Sequence, residues 1–416
     1  MSVPTNAFEP GNLDEDHFVN RDEKKQELLT QLRAAIGNSD IYSQSYLIIG
    51  ERGVGKSLFT RYVLRQLRAE FSGDVAFVRV EGADQTNGFA GIMHDLVSQL
   101  IDELEQLDGI APSSSSRIPE HIYNELRFLR TLLGYTEVSI KRVHDTLTQY
   151  HLKIDVASPK SLVSFLSSRW GLEKKTSDRD VLEMKQRFDI STMCEAVCRA
   201  LEGLVELRQK VVVFIDDLDQ VYGVTESNIE DTETMFKHLH RLHDCILIVN
   251  LRDYYLSANT SREYHSVFNL QGLDNRALGE IIDSRLSQVA NREEIENKIG
   301  PLRETLVQKT DNPLAFLTWC HWLINRTDCS PDKVDSHLAE FVEEYYTWFV
   351  DDIRIVAALY KSSPRRILRK TALLAKLGDG GGDILKDLEN REVVLPQDYV
   401  NRTAFRLNPI FHFLLE

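Results

Sequence analysis

Apolar positions along the chain fall into two patterns that alternate. In residues 22–36 (DEKKQELLTQLRAAI), Leu28, Leu29, Leu32 and Ile36 recur at the spacing of one helical face. Short apolar runs at 45–50, 74–82 (DVAFVRVEG), 210–219 (KVVVFIDDLD) and 245–251 (CILIVNL) predict four strands. The run at 210–219 is continuous rather than alternating, as in a strand buried on both faces of a parallel sheet. Helical spacing returns in SLFTRYVLRQL, with Phe59, Tyr62, Val63 and Leu67 inward, and again over 89–107. Strands interleaved with helices predict an α/β fold, a parallel sheet with right-handed crossovers.

Residues 1–17 read as a loose lead-in, and PSSSSR (112–117) as a break. From there to about 208 the pattern is helical, in several pieces. After about residue 272 strand signals stop, and NRALGEIIDSRLSQVA opens a helical module reaching about 348. EEYYTWF (343–349) reads as a core helix leading into the last segment. There, GDILKDLENREVVLP, QDYVNR, TAFRLN and PIFHFLLE predict helix, strand, turn, strand and short helix, with Phe405, Phe411 and Phe413 as core and His412 as structural.

Composition narrows the class. The chain has 416 residues, 42% apolar and 27% charged, which suits a globular protein of two or three domains. A net charge of −15 argues against a general polyanion binder and leaves room for a local basic patch. One such patch is KSSPRRILRK (361–370), whose Lys361, Arg365, Arg366, Arg369 and Lys370 would partly share a helical face and could meet duplex DNA. The five cysteines form no C-x-x-C pair, so a reducing compartment is expected, and Cys194 and Cys198 read as thiols rather than metal ligands. No apolar run approaches the ~20 residues that cross a bilayer, and the N-terminus is polar and acidic. A cytoplasmic protein without membrane contact is the expectation.

The strongest chemical signal is GERGVGKS (50–57), which follows the first strand and opens a helix. Gly50, Gly55, Lys56 and Ser57 match G-x-x-x-x-G-K-[ST]. Glycines let backbone N–H groups converge on phosphate oxygens, and the helix N-terminus adds partial positive charge. Gly50, Glu51, Arg52, Gly53, Val54, Gly55, Lys56, Ser57 and Leu58 are thus the candidate phosphate cradle. Lys56 would reach the β- and γ-phosphates, and Ser57 would ligate Mg²⁺. The acids closing VVVFIDD supply the second half: Asp216 as metal ligand, and Asp217 to orient or deprotonate the attacking water. Lys56 and Asp216 are 160 residues apart, far more than a compact crossover needs, so about 110–208 should be a helical insertion.

These strings resemble the AAA+ and STAND branch of P-loop ATPases, especially origin-recognition-like and archaeal-type ATPases. FVNRDEKKQELLTQL (18–32) resembles their opening box, GERGVGKS and FIDDLDQ their two Walker motifs, and CILIVNLRD the sensor strand. FNLQGLDNRALGEIIDSRL resembles the start of the helical lid, TDNPLAF (310–316) its Gly–Asn–Pro–Leu string, and the tail a winged helix. The resemblance implies that Asn250 and Arg252 read the γ-phosphate, that Pro313 lies near the nucleotide and that Arg262 is placed as an arginine finger. It implies a core over 18–271, a lid over 272–348 and a winged helix over 349–416. Asp217 stands where AAA+ proteins usually carry Glu, Asp311 replaces a small residue, and no Arg follows TDNPLAF at the sensor-2 place.

The function expected from this resemblance is ATP hydrolysis, with Mg²⁺, in a homo-oligomer whose nucleotide state controls a DNA- or partner-binding winged helix, in replication, transposition or phage defence. The alternative is a slow or non-hydrolysing signalling scaffold that binds a protein partner, for instance through the helical insertion. The absence of an N-K-x-D string favours adenine over guanine.

Overall fold

The computed structural model describes residues 8, 20–38, 44–71, 73–80, 88–110, 122, 126–127, 129–130, 175–176, 182–183, 190–208, 210–216, 218, 226–252, 264–287, 289, 291–326, 330–363, 366–396 and 403–415. The first half alternates helix and strand: α1 (Asp22–Gly37), β1 (Gln44–Gly50), α2 (Lys56–Phe71), β2 (Val75–Val80) and α3 (Gly88–Ile110). Two two-residue strands, β3 (Lys175–Thr176) and β4 (Leu182–Glu183), precede α4 (Ile190–Arg208). The core then closes with β5 (Lys210–Ile215), α5 (Glu226–Leu239), β6 (Cys245–Arg252) and β7 (Ser266–Asn269).

Five strands form one parallel sheet in the order β2-β5-β6-β1-β7. Strand alternation sorts its side chains onto two faces. Tyr46, Ile48, Phe77, Val212, Phe214, Ile246 and Ile248 pack with Leu28, Leu29 and Leu32 of α1 and Phe59, Val63 and Leu67 of α2. Leu47, Val78, Val213, Leu247 and Val249 face the other way, onto α3, α4 and α5. Both faces are therefore covered, which is why the strands read as continuous apolar runs.

Two expectations about this half are corrected. A fifth strand, β7, was not anticipated. It is a four-residue edge strand in which Phe268 alone is buried, too short for its pattern to stand out. The insertion, expected to be helical throughout, also contains β3 and β4, which pair antiparallel. Its described helix, α4, packs on the sheet, and Leu126 and Leu129 join the same core.

The second half is helical: α6 (Asn275–Leu286), α7 (Arg292–Ile299), α8 (Arg303–Lys309), α9 (Pro313–Leu323), α10 (Val334–Tyr345) and α11 (Val350–Ser362). It ends with β8 (Leu368–Arg369), α12 (Lys370–Leu377), α13 (Gly381–Asn390), β9 (Val394–Pro396), β10 (Ala404–Leu407) and a 3₁₀ helix over Pro409–Leu415. The last three strands form an antiparallel sheet in the order β8-β10-β9. Phe405, Phe411 and Phe413 do pack inward, in a core shared with α6 to α11. Trp319 of α9 meets Phe413 edge-on at 5.8 Å and donates its indole N–H to the Ile410 carbonyl at 3.1 Å. Phe8, in the stretch expected to be loose, is fully buried in that same core.

Two further readings do not survive. EEYYTWF is not a core helix: α10 ends at Tyr345, and Tyr345 and Trp348 are 58% and 86% exposed. Tyr346 leaves helical geometry at φ −129°, which turns its ring onto Phe411 and its neighbours outward. Nor do the basic residues of 361–370 share one helix. Lys361 lies near the end of α11, Arg366 in the following bend, Arg369 in β8 and Lys370 at the start of α12, all exposed. Arg365 lies outside the described residues.

Candidate nucleotide site

The glycine loop joins the buried end of β1 to the start of α2, and Gly53 and Gly55 take φ of 80° and 93°, conformations that side chains resist. The first N–H groups of α2 have no acceptor within the helix and face the loop. Lys56 is buried, and its Nζ donates to the carbonyls of Gly50 and Glu51, each at 3.0 Å. The cation is thereby held folded over the loop.

Residues from three elements converge next to it. The Ser57 hydroxyl donates to Asp216 Oδ1 at 3.0 Å, and the Asn250 carboxamide donates to the same oxygen at 2.8 Å. Asp216 follows β5, and Asn250 lies on the neighbouring β6, two positions before its end. Asp216 is 4% exposed and Asn250 fully buried. Arg252, on the same strand face as Asn250, is buried and stands in register beside Gly50. Asp217 and Arg262 lie outside the described residues.

Three other parts of the chain hold the loop from outside. Arg21, at the N-terminus of α1, donates to the Val54 carbonyl at 2.9 Å and to the Gln271 carbonyl. Burial pulls its guanidinium down to about 10. From α9, Asn312 caps the helix by accepting from the Leu314 and Ala315 N–H groups and donates through Nδ2 to the Arg52 carbonyl at 2.7 Å. Leu314 N–H donates to the Gly53 carbonyl. A Cβ at Gly53 would come within 2.4 Å of Leu314 Cβ and 2.7 Å of Asn312 Oδ1, so only glycine lets the helix approach this closely. Pro313 is buried between those two contacts, as the first residue of α9. Asp311 packs on Gly272 and accepts the Leu273 N–H, so its bulk is accommodated by a glycine opposite.

The C-terminal sheet supplies the third hold. Arg406 of β10 donates to Glu51 at 2.7 Å, and Arg52 pairs with Glu392, just before β9. Leu395, Leu407 and Pro409 line the cleft between them and the loop.

The residues fit a magnesium-bound phosphate chain. Ser57 and Asp216 bring two hard oxygen donors together beside a buried lysine, the donor chemistry that Mg²⁺ selects. Among the described residues there is no cluster of three His, Cys, Asp or Glu for another metal.

Sequence reasoning quoted Asn312 and Leu314 within TDNPLAF without giving either a role, and it did not single out Thr60, Glu392 or Arg406. Asn312 had a signal, an Asn before Pro and an apolar helix, which is an N-cap pattern. Thr60 had a weaker one, a polar residue on the inward face of α2. Arg406 reaches Glu51 across 355 positions, and nothing local announces that.

The family model described as "AAA ATPase domain" matches residues 17–249, more than half the chain. Similar solved structures include the Aeropyrum pernix ORC2 protein (ADPNP-ADP complexes), at 12% identity, 100% of this chain and 98% of that chain, TM-score 0.42. They also include the Aeropyrum pernix ORC1 protein in complex with DNA (11%; 99% and 95%; TM-score 0.44) and Cdc6p from Pyrobaculum aerophilum (10%; 99% and 98%; TM-score 0.40). No curated protein matches the chain by sequence.

Proposed function

The chain belongs to the AAA ATPase domain family, and from that premise we propose that it is an ATP-binding and hydrolysing switch whose nucleotide state governs the C-terminal unit. The observation that carries this reading is the grip on the glycine loop. Arg21, Asn312, Leu314, Glu392 and Arg406 all touch residues 51–54, so a phosphate chain entering the loop must act on the N-terminal arm, the lid and the C-terminal sheet together.

In this reading the backbone of residues 50–58 receives the phosphates, Lys56 turns from the Gly50 and Glu51 carbonyls to them, and Ser57 and Asp216 hold Mg²⁺. Held there, Mg²⁺ would supply positive charge against the charge developing on the phosphoryl group. Asp217, next in sequence to Asp216, orients the attacking water. Asn250 and Arg252 sense the γ-phosphate from the end of β6, and Pro313 borders the nucleotide. Arg262 acts as the finger for a neighbouring protomer in a homo-oligomer.

The downstream target is duplex DNA, met through the exposed Lys361, Arg366, Arg369 and Lys370. These four charges are spread over α11, the bend after it, β8 and α12 rather than along one helix, so backbone contact rather than base readout suits them. Replication, transposition and defence against phage all use such switches.

Steady-state phosphate release with and without duplex DNA tests the reading. DNA-stimulated turnover, abolished by Lys56→Ala, is the expected result. Stoichiometric ATP binding with slow turnover that DNA leaves unchanged would instead mark a scaffold that binds a protein partner. Turnover unaffected by Lys56→Ala would refute the site.

A further inference from the structure

Thr60 lies one helical turn after Lys56, outside both phosphate-site motifs, and is fully buried. Its hydroxyl is 2.9 Å from Asn250 Oδ1 and 3.1 Å from the Lys56 carbonyl. The other end of the Asn250 carboxamide meets Asp216 Oδ1, the oxygen that also accepts from Ser57. A chain of contacts thus runs Thr60, Asn250, Asp216, Ser57, through side chains from α2, β6 and the end of β5.

The chemistry of the partners settles which way the carboxamide points. An ionised carboxylate only accepts, so the NH₂ end of Asn250 must face Asp216. The carbonyl end then faces Thr60, whose single hydroxyl hydrogen lies between Asn250 Oδ1 at 2.9 Å and the Lys56 carbonyl at 3.1 Å and points to the nearer oxygen. If the carboxamide turned over, its oxygen would oppose the carboxylate, and in a buried site that arrangement is heavily disfavoured. Asp216 thus sets the orientation, and Thr60 stabilises it from the opposite side by satisfying the buried Oδ1 that this orientation turns toward α2.

We infer that Thr60 is a positioning residue that stabilises the orientation of the Asn250 carboxamide and, through it, the rotamer of Asp216. This rests on the proposed ATPase reading for its consequence in turnover, while the orientation itself is a property of the nucleotide-free chain. Thr60 touches neither phosphate nor metal ligand in this arrangement. Its shape is replaced closely by Val, which keeps the branched packing and removes the donor. Ser keeps the donor and removes a methyl group.

The test pairs an exchange measurement on the nucleotide-free full chain with kinetics. Hydrogen exchange at the Asn250 side-chain amide, assigned by its loss in Asn250→Asp, should be slow in the wild type. It should quicken at least tenfold in Thr60→Val and stay slow in Thr60→Ser. In turnover, Thr60→Val should lower kcat about tenfold or more while ATP affinity changes less than about threefold, and Thr60→Ser should restore kcat. Thr60→Ala replaces Val if the branched variant does not fold. Unchanged exchange in the hydroxyl-free variant would overturn the inference, as would equal losses in the Val and Ser variants or a fall in affinity that matches the fall in kcat. A wild type without turnover would count against the ATPase reading alone, because the exchange measurement would still decide the role of Thr60.

Discussion

Reversing Arg406 to Glu removes the pair with Glu51 and places two carboxylates where one pair stood. The Arg406 and Glu51 side chains are 26% and 42% exposed, so water screens part of the attraction. An ion pair of that exposure contributes roughly 0.5–1 kcal/mol, and the added repulsion a similar amount. The substitution should therefore shift the C-terminal sheet away from the glycine loop by about 1–2 kcal/mol, or about 5- to 30-fold in the docked-to-released ratio. If nucleotide leaves only after that sheet lifts, a fluorescent ADP analogue should dissociate about tenfold faster from Arg406→Glu in stopped flow. Rising salt should speed release from the wild type in the same direction. The double variant Glu51→Arg with Arg406→Glu should recover most of the slow release, because the pair is rebuilt with its charges exchanged. A release rate in Arg406→Glu equal to that of the wild type would show that the sheet does not gate the loop.

Other perturbations probe the remaining contacts. Gly53→Ala forces a Cβ to within 2.4 Å of Leu314 in a backbone with φ of 80°, so α9 must withdraw; nucleotide affinity should fall at least tenfold by calorimetry, and an unchanged affinity would contradict the observed approach. Asn312→Ala removes an N-cap and the tie to the Arg52 carbonyl, and should lower the melting temperature by an amount matching about 1–2 kcal/mol. Asp217→Asn should leave ATP bound and block its cleavage; loss of binding would make Asp217 a structural residue or a metal ligand. His412 is held down at about 4 by burial, against an ordinary 6.5. The unfolded chain then binds the extra proton between those values, so stability is intact above about 6.5 and falls as pH drops toward 4. His412→Phe, which keeps the stack on Tyr360, should lose less melting temperature than the wild type between pH 7 and pH 5, by on the order of 1–2 kcal/mol in stability. Equal losses in the two proteins would refute that origin.

The sheet was legible because each central strand is buried on two faces, and continuous apolar runs such as VVVFI have few other uses in an α/β chain. The glycine loop was legible because its spacing is dictated by backbone geometry between adjacent elements. β7 escaped notice since an edge strand needs only Phe268 inward. The exposure of Trp348 also ran against pattern: an aromatic-rich string reads as core, and only the break at Tyr346 turns it outward. The grip on the loop was the least legible feature. Asn312 meets Arg52 across 260 positions and Arg406 meets Glu51 across 355, contacts that topology creates and local composition does not encode. The insertion was expected from the 160 residues separating Lys56 and Asp216, but the two short strands within it leave almost no periodicity to read.

In the proposed function one magnesium-bound triphosphate sits among Lys56, Ser57 and Asp216. Calorimetric titration of ATP into the full chain, with Mg²⁺ and with chelator, decides whether it does. The expected result is one site per chain, binding that tightens with Mg²⁺, loss of at least about a hundredfold in affinity in Lys56→Ala, and loss of the Mg²⁺ effect in Asp216→Ala. Wild-type affinity in Lys56→Ala, or an Mg²⁺ effect that survives Asp216→Ala intact, would contradict it.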